Sequence, residues 1–153
     1  SGALAMALLS PQQAVDVWPA LSAMLDMYAD TWRGFRSKEA IFRDLALGHL
    51  NVWFLQVGAA PPALVVFSHV VESPAGEHAR TKVLQIIDAC GDMSEAALAL
   101  MDTTFEDVAR LHECVAIEVI GRKGWERRLR TRGFRHVATL LSRPTGRGSG
   151  KPN

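Results

Sequence analysis

Two short apolar runs of β-type residues enclose one long amphipathic helix, and this unit constrains the fold more than any other feature of the chain. The runs are Arg80–Cys90 (RTKVLQIIDAC) and Cys114–Ile120 (CVAIEVI). Between them, over 94–112, Leu98, Met101, Phe105, Val108 and Leu111 or His112 recur at helical spacing. Both runs are apolar enough for burial on two faces, as parallel strands are. A strand, a crossover helix and a second strand make a right-handed βαβ unit. Asp92 and Glu95 stand at capping-box spacing before the helix.

The rest of the chain fits around that unit. Residues 11–30 read as a helix with Pro11 near its start, kinked or divided at Pro19. A second helix over 37–48 has Ser37 as its cap and Ile41 and Leu45 on its apolar face. Asn51–Val57 and Ala63–Val71 flank the turn signal GAAPP and read as an antiparallel hairpin. The polar stretch 72–79 is a loop. Residues 122–132 (RKGWERRLRTR) form a short basic helix with Trp125 and Leu129 on one side, and Gly133 ends it. Phe134–Ser142 is a last strand. The expected order is α-α-β-β-β-α-β-α-β, a single-domain α/β (α+β) mixed sheet over 11–143. It combines N-terminal helices, an antiparallel meander and the parallel unit. Residues 1–10 are expected to be a flexible lead-in or cloning remnant, with Met6 as a candidate natural start, and 144–153 a disordered basic tail.

At 153 residues with 48% apolar and 22% charged side chains, the chain can bury a core, and general disorder is excluded. No apolar run approaches the ~18 residues of a membrane span. The first nine residues have no basic start and do not read as a signal peptide. Cys90 and Cys114 do not make a secreted disulfide framework; they read as buried, reduced thiols of a cytoplasmic protein. The five histidines are scattered, so no metal site is expected. A Walker phosphate loop near the end is excluded because Thr145 and Pro152 stand where Gly and Ser or Thr are required.

The net charge of +1 conceals an asymmetry. Residues 1–121 hold 7 Lys and Arg against 15 Asp and Glu, whereas 122–153 hold 10 against 1. The basic set Arg122, Lys123, Arg127, Arg128, Arg130, Arg132 and Arg135 has three readings: a solvated helix face, contacts to cofactor phosphates, or contacts to nucleic acid or an acidic protein. Glu118 interrupts an apolar strand; it is either a general base or the partner of Arg122 or Arg80. Asp88, at the end of a strand, either orients an amine or makes a strand-end hydrogen bond. Cys90 has no histidine near it in sequence to make it a nucleophile. Trp125 reads as core packing.

The element order resembles the GNAT (N-acetyltransferase) superfamily. Ile120–Phe134 is similar to a group of GNAT-like proteins of phages and prophages. These carry a GR-x-GW element, here Gly121, Arg122, Gly124 and Trp125, followed by Gly133 and Phe134. Trp53 in NVWFLQV resembles that group's second-strand tryptophan. The resemblance implies an opening between strands 80–90 and 114–120 that takes acetyl-CoA. Ile87, Asp88, Ala89 and Cys90 would pair with the pantetheine, and Gly91, Asp92, Met93 and Ser94 would lead its pyrophosphate onto the helix start. It implies an amine acceptor and Glu118, or a water that Glu118 holds, as base, with Asp88 beside it.

The family's loop pattern [QR]-x-x-G-x-[GA] is replaced here by Asp88-Ala-Cys-Gly91-Asp-Met93. The tyrosine that often serves as acid on the last helix is missing, since the sole tyrosine is Tyr28. The helix start is therefore either a capping box alone or a pyrophosphate cradle. The expected function is an acetyl-CoA-dependent N-acetyltransferase. The alternative is a catalytically degenerate GNAT-like module that binds an acidic protein or nucleic acid through its basic C-terminal surface. A homodimer fits either reading.

Overall fold

A computed structural model of the chain describes residues 2–28, 36–72, 81–121, 123–139, 141 and 143–146. A five-stranded sheet runs in the order β1-β2-β3-β4-β5. The strands are β1 (Leu4–Leu8), β2 (Asn51–Val57), β3 (Leu64–Glu72), β4 (Lys82–Gly91) and β5 (Ala116–Val119). Helices α1 (Pro11–Asp16), α2 (Trp18–Met27) and α3 (Lys38–Ala46) cover one face. Helices α4 (Glu95–Leu111) and α5 (Lys123–Arg130) lie on the other. The first four strands pair antiparallel, and β4 pairs with β5 in parallel across α4. No helix among the described residues is long and apolar enough to cross a membrane.

Local chemistry explains most of the boundaries. Ser10 and Gln13 form a reciprocal capping box and Pro11 occupies the first turn of α1. The helix expected over 11–30 is divided at Val17, with Pro19 in the first turn of α2; residues 29 and 30 lie outside the described residues. Ser37 caps α3 through Ala40 N–H at 3.2 Å. On α4, Leu98, Met101, Phe105 and Ala109 are buried, while Leu111 is exposed. The cap of α4 is Ser94, which accepts from Ala97 N–H at 3.1 Å, not Asp92. Asp92 is taken up earlier, its N–H donating to Ala63 O at 2.8 Å.

Two expectations about the ends are corrected. Residues 4–8, read as a flexible lead-in, form β1, in register from Leu4↔Val57 to Leu8↔Trp53. Leu4 and Met6 pack on the α4 side of the core, and β1 satisfies the outer backbone of β2. The strand expected at 134–142 does not form over 134–139; residues 140 and 142 lie outside the described residues. Instead Phe134 N–H donates to Leu129 O at 3.2 Å, closing the end of α5. The Phe134 ring lines the apolar hollow under α5, and residues 135–139 are exposed. Arg80, Arg122, most of the 72–79 loop and 147–153 of the tail also lie outside the described residues.

The core has two layers. Between the sheet and α1–α3 lie Leu21, Leu25, Ile41, Leu45, Val52, Val65, Phe67 and Cys90. Between the sheet and α4 lie Trp53, Leu55, Leu64, Leu84, Ile86, Met101 and Phe105. Trp53 meets Phe105 edge to face at 5.4 Å and donates to buried Ser68 Oγ at 2.9 Å, so its indole N–H has a partner.

β4 has one irregularity. Phe67 pairs with Asp88, yet the next residue of β3, Ser68, pairs with Ile86. Ile87 is thus an extra residue, a β-bulge, and it changes which residues of β4 face which layer. Before it, Leu84 and Ile86 face α4; after it, Ala89 does, while Ile87 and Cys90 face the α1–α3 layer.

Candidate active site

The parallel pairing of β4 with β5 stops short. Its last register pair is Ile86↔Val119, closed by Ile120 N–H donating to Ile86 O at 2.9 Å. β4 continues through Ile87 to Gly91 with no strand beside it on that edge among the described residues. From the bulge onward β4 therefore outruns β5, at the place where the opening between the two strands is expected. Along it, Ala89 N–H donates to Asp88 Oδ1 at 3.0 Å.

The opening leads to the start of α4. Gly91 has φ +125°, and a Cβ there would lie 2.2 Å from Ala63 O, so only glycine fits the turn. The bond from Asp92 N–H to the same carbonyl pins the loop to β3. Met93 and Ser94 follow, and Ser94 begins a helix whose first N–H groups have no intrahelical carbonyl. Such an end attracts anions.

A basic side chain of α5 reaches this loop. Arg128 Nη1 donates to Met93 O at 2.6 Å, and its Nη2 donates to Glu95 Oε1 at 2.8 Å. Arg132 reaches Glu95 Oε2 at 3.5 Å and Asp102 Oδ2 at 3.4 Å. Glu95 is thus not an unopposed negative charge in front of the helix. The hydrogen bond from Arg128 holds its carboxyl below the usual carboxylate range, with the charges of Arg128 and Arg132 acting in the same direction. Sequence reading gave the basic helix but not this contact, which joins residues 33 apart.

The residues fit a pyrophosphate-bearing cofactor on two observations of this structure. β4 outruns its partner, and two guanidinium groups stand over the α4 start. Arg128 and Arg132 would hold its phosphates, and the edge of β4 over 88–90, beyond its pairing with β5, would face its pantetheine.

The two candidate carboxylates share the opposite, α1–α3 face of the sheet. Asp88 is there because it pairs with Phe67, which points into that layer. Glu118 is there because its neighbours Ile117 and Val119 pack towards α4. Glu118 Oε1 accepts from Gln85 Nε2 at 3.0 Å, and Gln85 Oε1 meets His69 Nε2 at 2.8 Å. The expected ion-pair partners of Glu118, Arg80 and Arg122, lie outside the described residues. The neighbour found is an amide that the sequence did not single out. Burial, offset in part by the Gln85 hydrogen bond, pushes His69 below its ordinary value, so its ring is neutral at pH 7.

Cys90 is buried, and burial together with nearby Asp88 pushes its thiol up to about 12. A thiol kept protonated is no nucleophile, in line with its reading as a core residue. Trp125 lines the hollow beneath α5 with Leu129, Phe134, Met101 and Phe105. A Cβ at Gly121 would come within 3.1 Å of the Trp125 ring, so Gly121 gives the indole its seat.

No protein-family model matches the chain, and no curated protein matches it significantly. Solved structures do. A "predicted acetyltransferase" with acetyl-CoA from Clostridium acetobutylicum has a TM-score of 0.68 at 9% identity, covering 93% of this chain and 96% of that one. An aminoglycoside acetyltransferase from an uncultured soil metagenomic sample, in complex with sisomicin, has 0.64 at 12%, covering 93% and 97%. A ribosomal-protein-alanine N-acetyltransferase from Brucella melitensis biovar Abortus has 0.61 at 15%, covering 94% and 99%. At these identities the likeness is one of fold: the chain has the GNAT acetyltransferase fold, over nearly its whole length.

Proposed function

We propose that the protein is an acetyl-CoA-dependent N-acetyltransferase. The observation that carries this reading is the opening at the end of β4, with the α4 start and the Arg128 guanidinium at its mouth. When bound, acetyl-CoA supplies an activated acyl thioester. The chain's own residues do the rest. Arg128 and Arg132 take the phosphates, exchanging Glu95 for them. The edge of β4 over Asp88, Ala89 and Cys90 aligns the pantetheine. Glu118 takes the proton of an incoming ammonium, directly or through a water, and Asp88 on the same face orients the amine. Both carboxylates lie on the face opposite the phosphates, so amine and cofactor meet through the sheet without crowding.

This reading places the protein in the cytoplasm, with Cys90 and Cys114 reduced. A phage or prophage origin rests on the likeness of the Gly121–Trp125 element in the sequence alone. A partner-binding module is less well supported. It leaves the end of β4 and the α4 start without a role, and it needs the same pairs of Arg128 and Arg132 with Glu95 and Asp102 to open.

The test is a thermal shift with acetyl-CoA and with CoA, confirmed by calorimetry. Ligand at ~100 times its dissociation constant stabilises a fold by about 2.7 kcal/mol. A saturable shift is expected. No shift at millimolar ligand overturns the reading.

A further inference from the structure

A line of hydrogen bonds crosses three adjacent strands on the α1–α3 face. His69 of β3, Gln85 of β4 and Glu118 of β5 are direct register partners, His69↔Gln85 and Gln85↔Glu118. Their side chains meet at 2.8 and 3.0 Å. Such lateral pairs hold one another in place. Among the described residues, the charged groups acting on His69 are Arg36 and Asp44, paired at 2.6 Å.

The chemistry of the three groups gives the line a direction. An ionised carboxylate only accepts hydrogen bonds. Gln85 must therefore turn its NH2 to Glu118 and its oxygen to His69, and the His69 ring must carry its proton on Nε2. The reverse arrangement would set two acceptors face to face at the carboxylate. Gln85 also engages one oxygen of Glu118, Oε1, and so fixes the plane in which Oε2 is offered. When Glu118 takes a proton it becomes a donor, and the amide of Gln85 is free to turn over. The His69 tautomer then reports the charge state of a carboxylate two strands away.

We propose that Gln85 and His69 are positioning residues for Glu118, holding one carboxylate oxygen so that the other faces the amine. This rests on the acetyltransferase reading, in which Glu118 is the base. It adds residues that act through Glu118 and touch no substrate.

The test has two arms on the full chain. In the first, long-range 1H–15N spectra of the imidazoles give the His69 tautomer and titration midpoint in the wild type, Gln85→Leu and Glu118→Gln. The expected result is an Nε2–H ring in the wild type. In Gln85→Leu the midpoint falls further, because the hydrogen bond that raises it is gone. In Glu118→Gln the tautomer mixture changes. In the second arm, turnover is measured with acetyl-CoA and polyamine, aminoglycoside and peptide amines. Gln85→Leu should lower kcat about tenfold with the acceptor KM within about twofold. His69→Gln, which keeps a donor, should stay near wild type, whereas His69→Phe should follow Gln85→Leu.

An Nδ1–H ring in the wild type, or an unchanged kcat in folded Gln85→Leu, overturns the proposal. If Gln85→Leu fails to fold, Gln85→Glu, which sets a like charge against Glu118, takes its place with the same expectations for kcat. If the wild type transfers acetyl to none of these amines, the acetyltransferase reading fails separately. The spectra then decide the line: a His69 signal unmoved by Glu118→Gln overturns it, and a moved one supports it.

Discussion

The two faces of the sheet beside β4 hold charge in opposite ways. On the α4–α5 face, Arg128 and Glu95 meet with side chains 37% and 76% exposed. On the α1–α3 face, the His69–Gln85–Glu118 line is part-buried between paired strands. Exposed ion pairs contribute little to stability and exchange easily. Hydrogen bonds between neighbouring strands are held by the backbone on both sides. The difference suits two tasks. On the acetyltransferase proposal, a cofactor that leaves in every cycle would need partners able to swap Glu95 for phosphate and back, whereas Glu118 as base would have to stay where it is.

The comparison can be broken at its hinge. Gly91→Ala should cause the largest effect, because a Cβ would collide with Ala63 O and φ +125° is unfavourable to any side chain. A loss of about 3 kcal/mol or more is expected in chemical denaturation, together with acetyl-CoA binding. Wild-type stability in that variant would mean the turn is not the hinge of the site.

One face can then be removed without the other. Glu118→Gln should lower turnover about a hundredfold while calorimetry gives an unchanged acetyl-CoA affinity. Arg128→Ala should do the converse. Affinity should fall about tenfold and depend less on salt, with the melting temperature close to wild type, since an exposed pair is lost. A variant that altered both turnover and affinity would show that the faces are not independent.

The smallest expected effect sharpens the burial side. The fold favours a neutral His69, so the unfolded chain binds the extra proton. Its contribution to stability is fully present above the unfolded value of 6.5 and declines as pH falls towards the lower folded value. Denaturation at pH 7.5 and 5.5 should show this slope in the wild type and a shallower one in His69→Gln.

Much of the fold was legible because periodicity and turn chemistry carry it. The α4 stripe, the hairpin around GAAPP, the break at Pro19 and the parallel unit could all be read from local pattern. β1 was not, since LAMAL has no turn or charge signal and becomes a strand only against the edge of β2. Phe134–Ser142 shows the reverse. Its residues suit a strand, but the described part takes no strand conformation, and Phe134 is drawn instead under α5. At the site, Asp88, Gly91 and Glu118 stood out by type and place. Arg128 stood only among seven basic residues, without its partners, and the Gln85–His69 line did not stand out, because those partners lie 16 to 35 residues away and nothing local announces them. The bulge left no mark either, since Ile87 is an ordinary strand residue.

That bulge makes β4 two strands of opposite parity joined end to end. Up to Ile86 the even-numbered residues look towards α4; from Ala89 the odd-numbered ones do. A single-residue deletion at Ile87 would restore one parity throughout. It would leave Asp88 and Cys90 on the α1–α3 side and Ala89 towards α4, since Asp88 would then follow Ile86 directly. The strand would be straighter and more regular, one residue shorter beyond Ile86, and both candidate carboxylates would still share a side. The spare residue thus lengthens and bends β4 where it leaves β5, and Asp88 and Glu118 share a face with or without it.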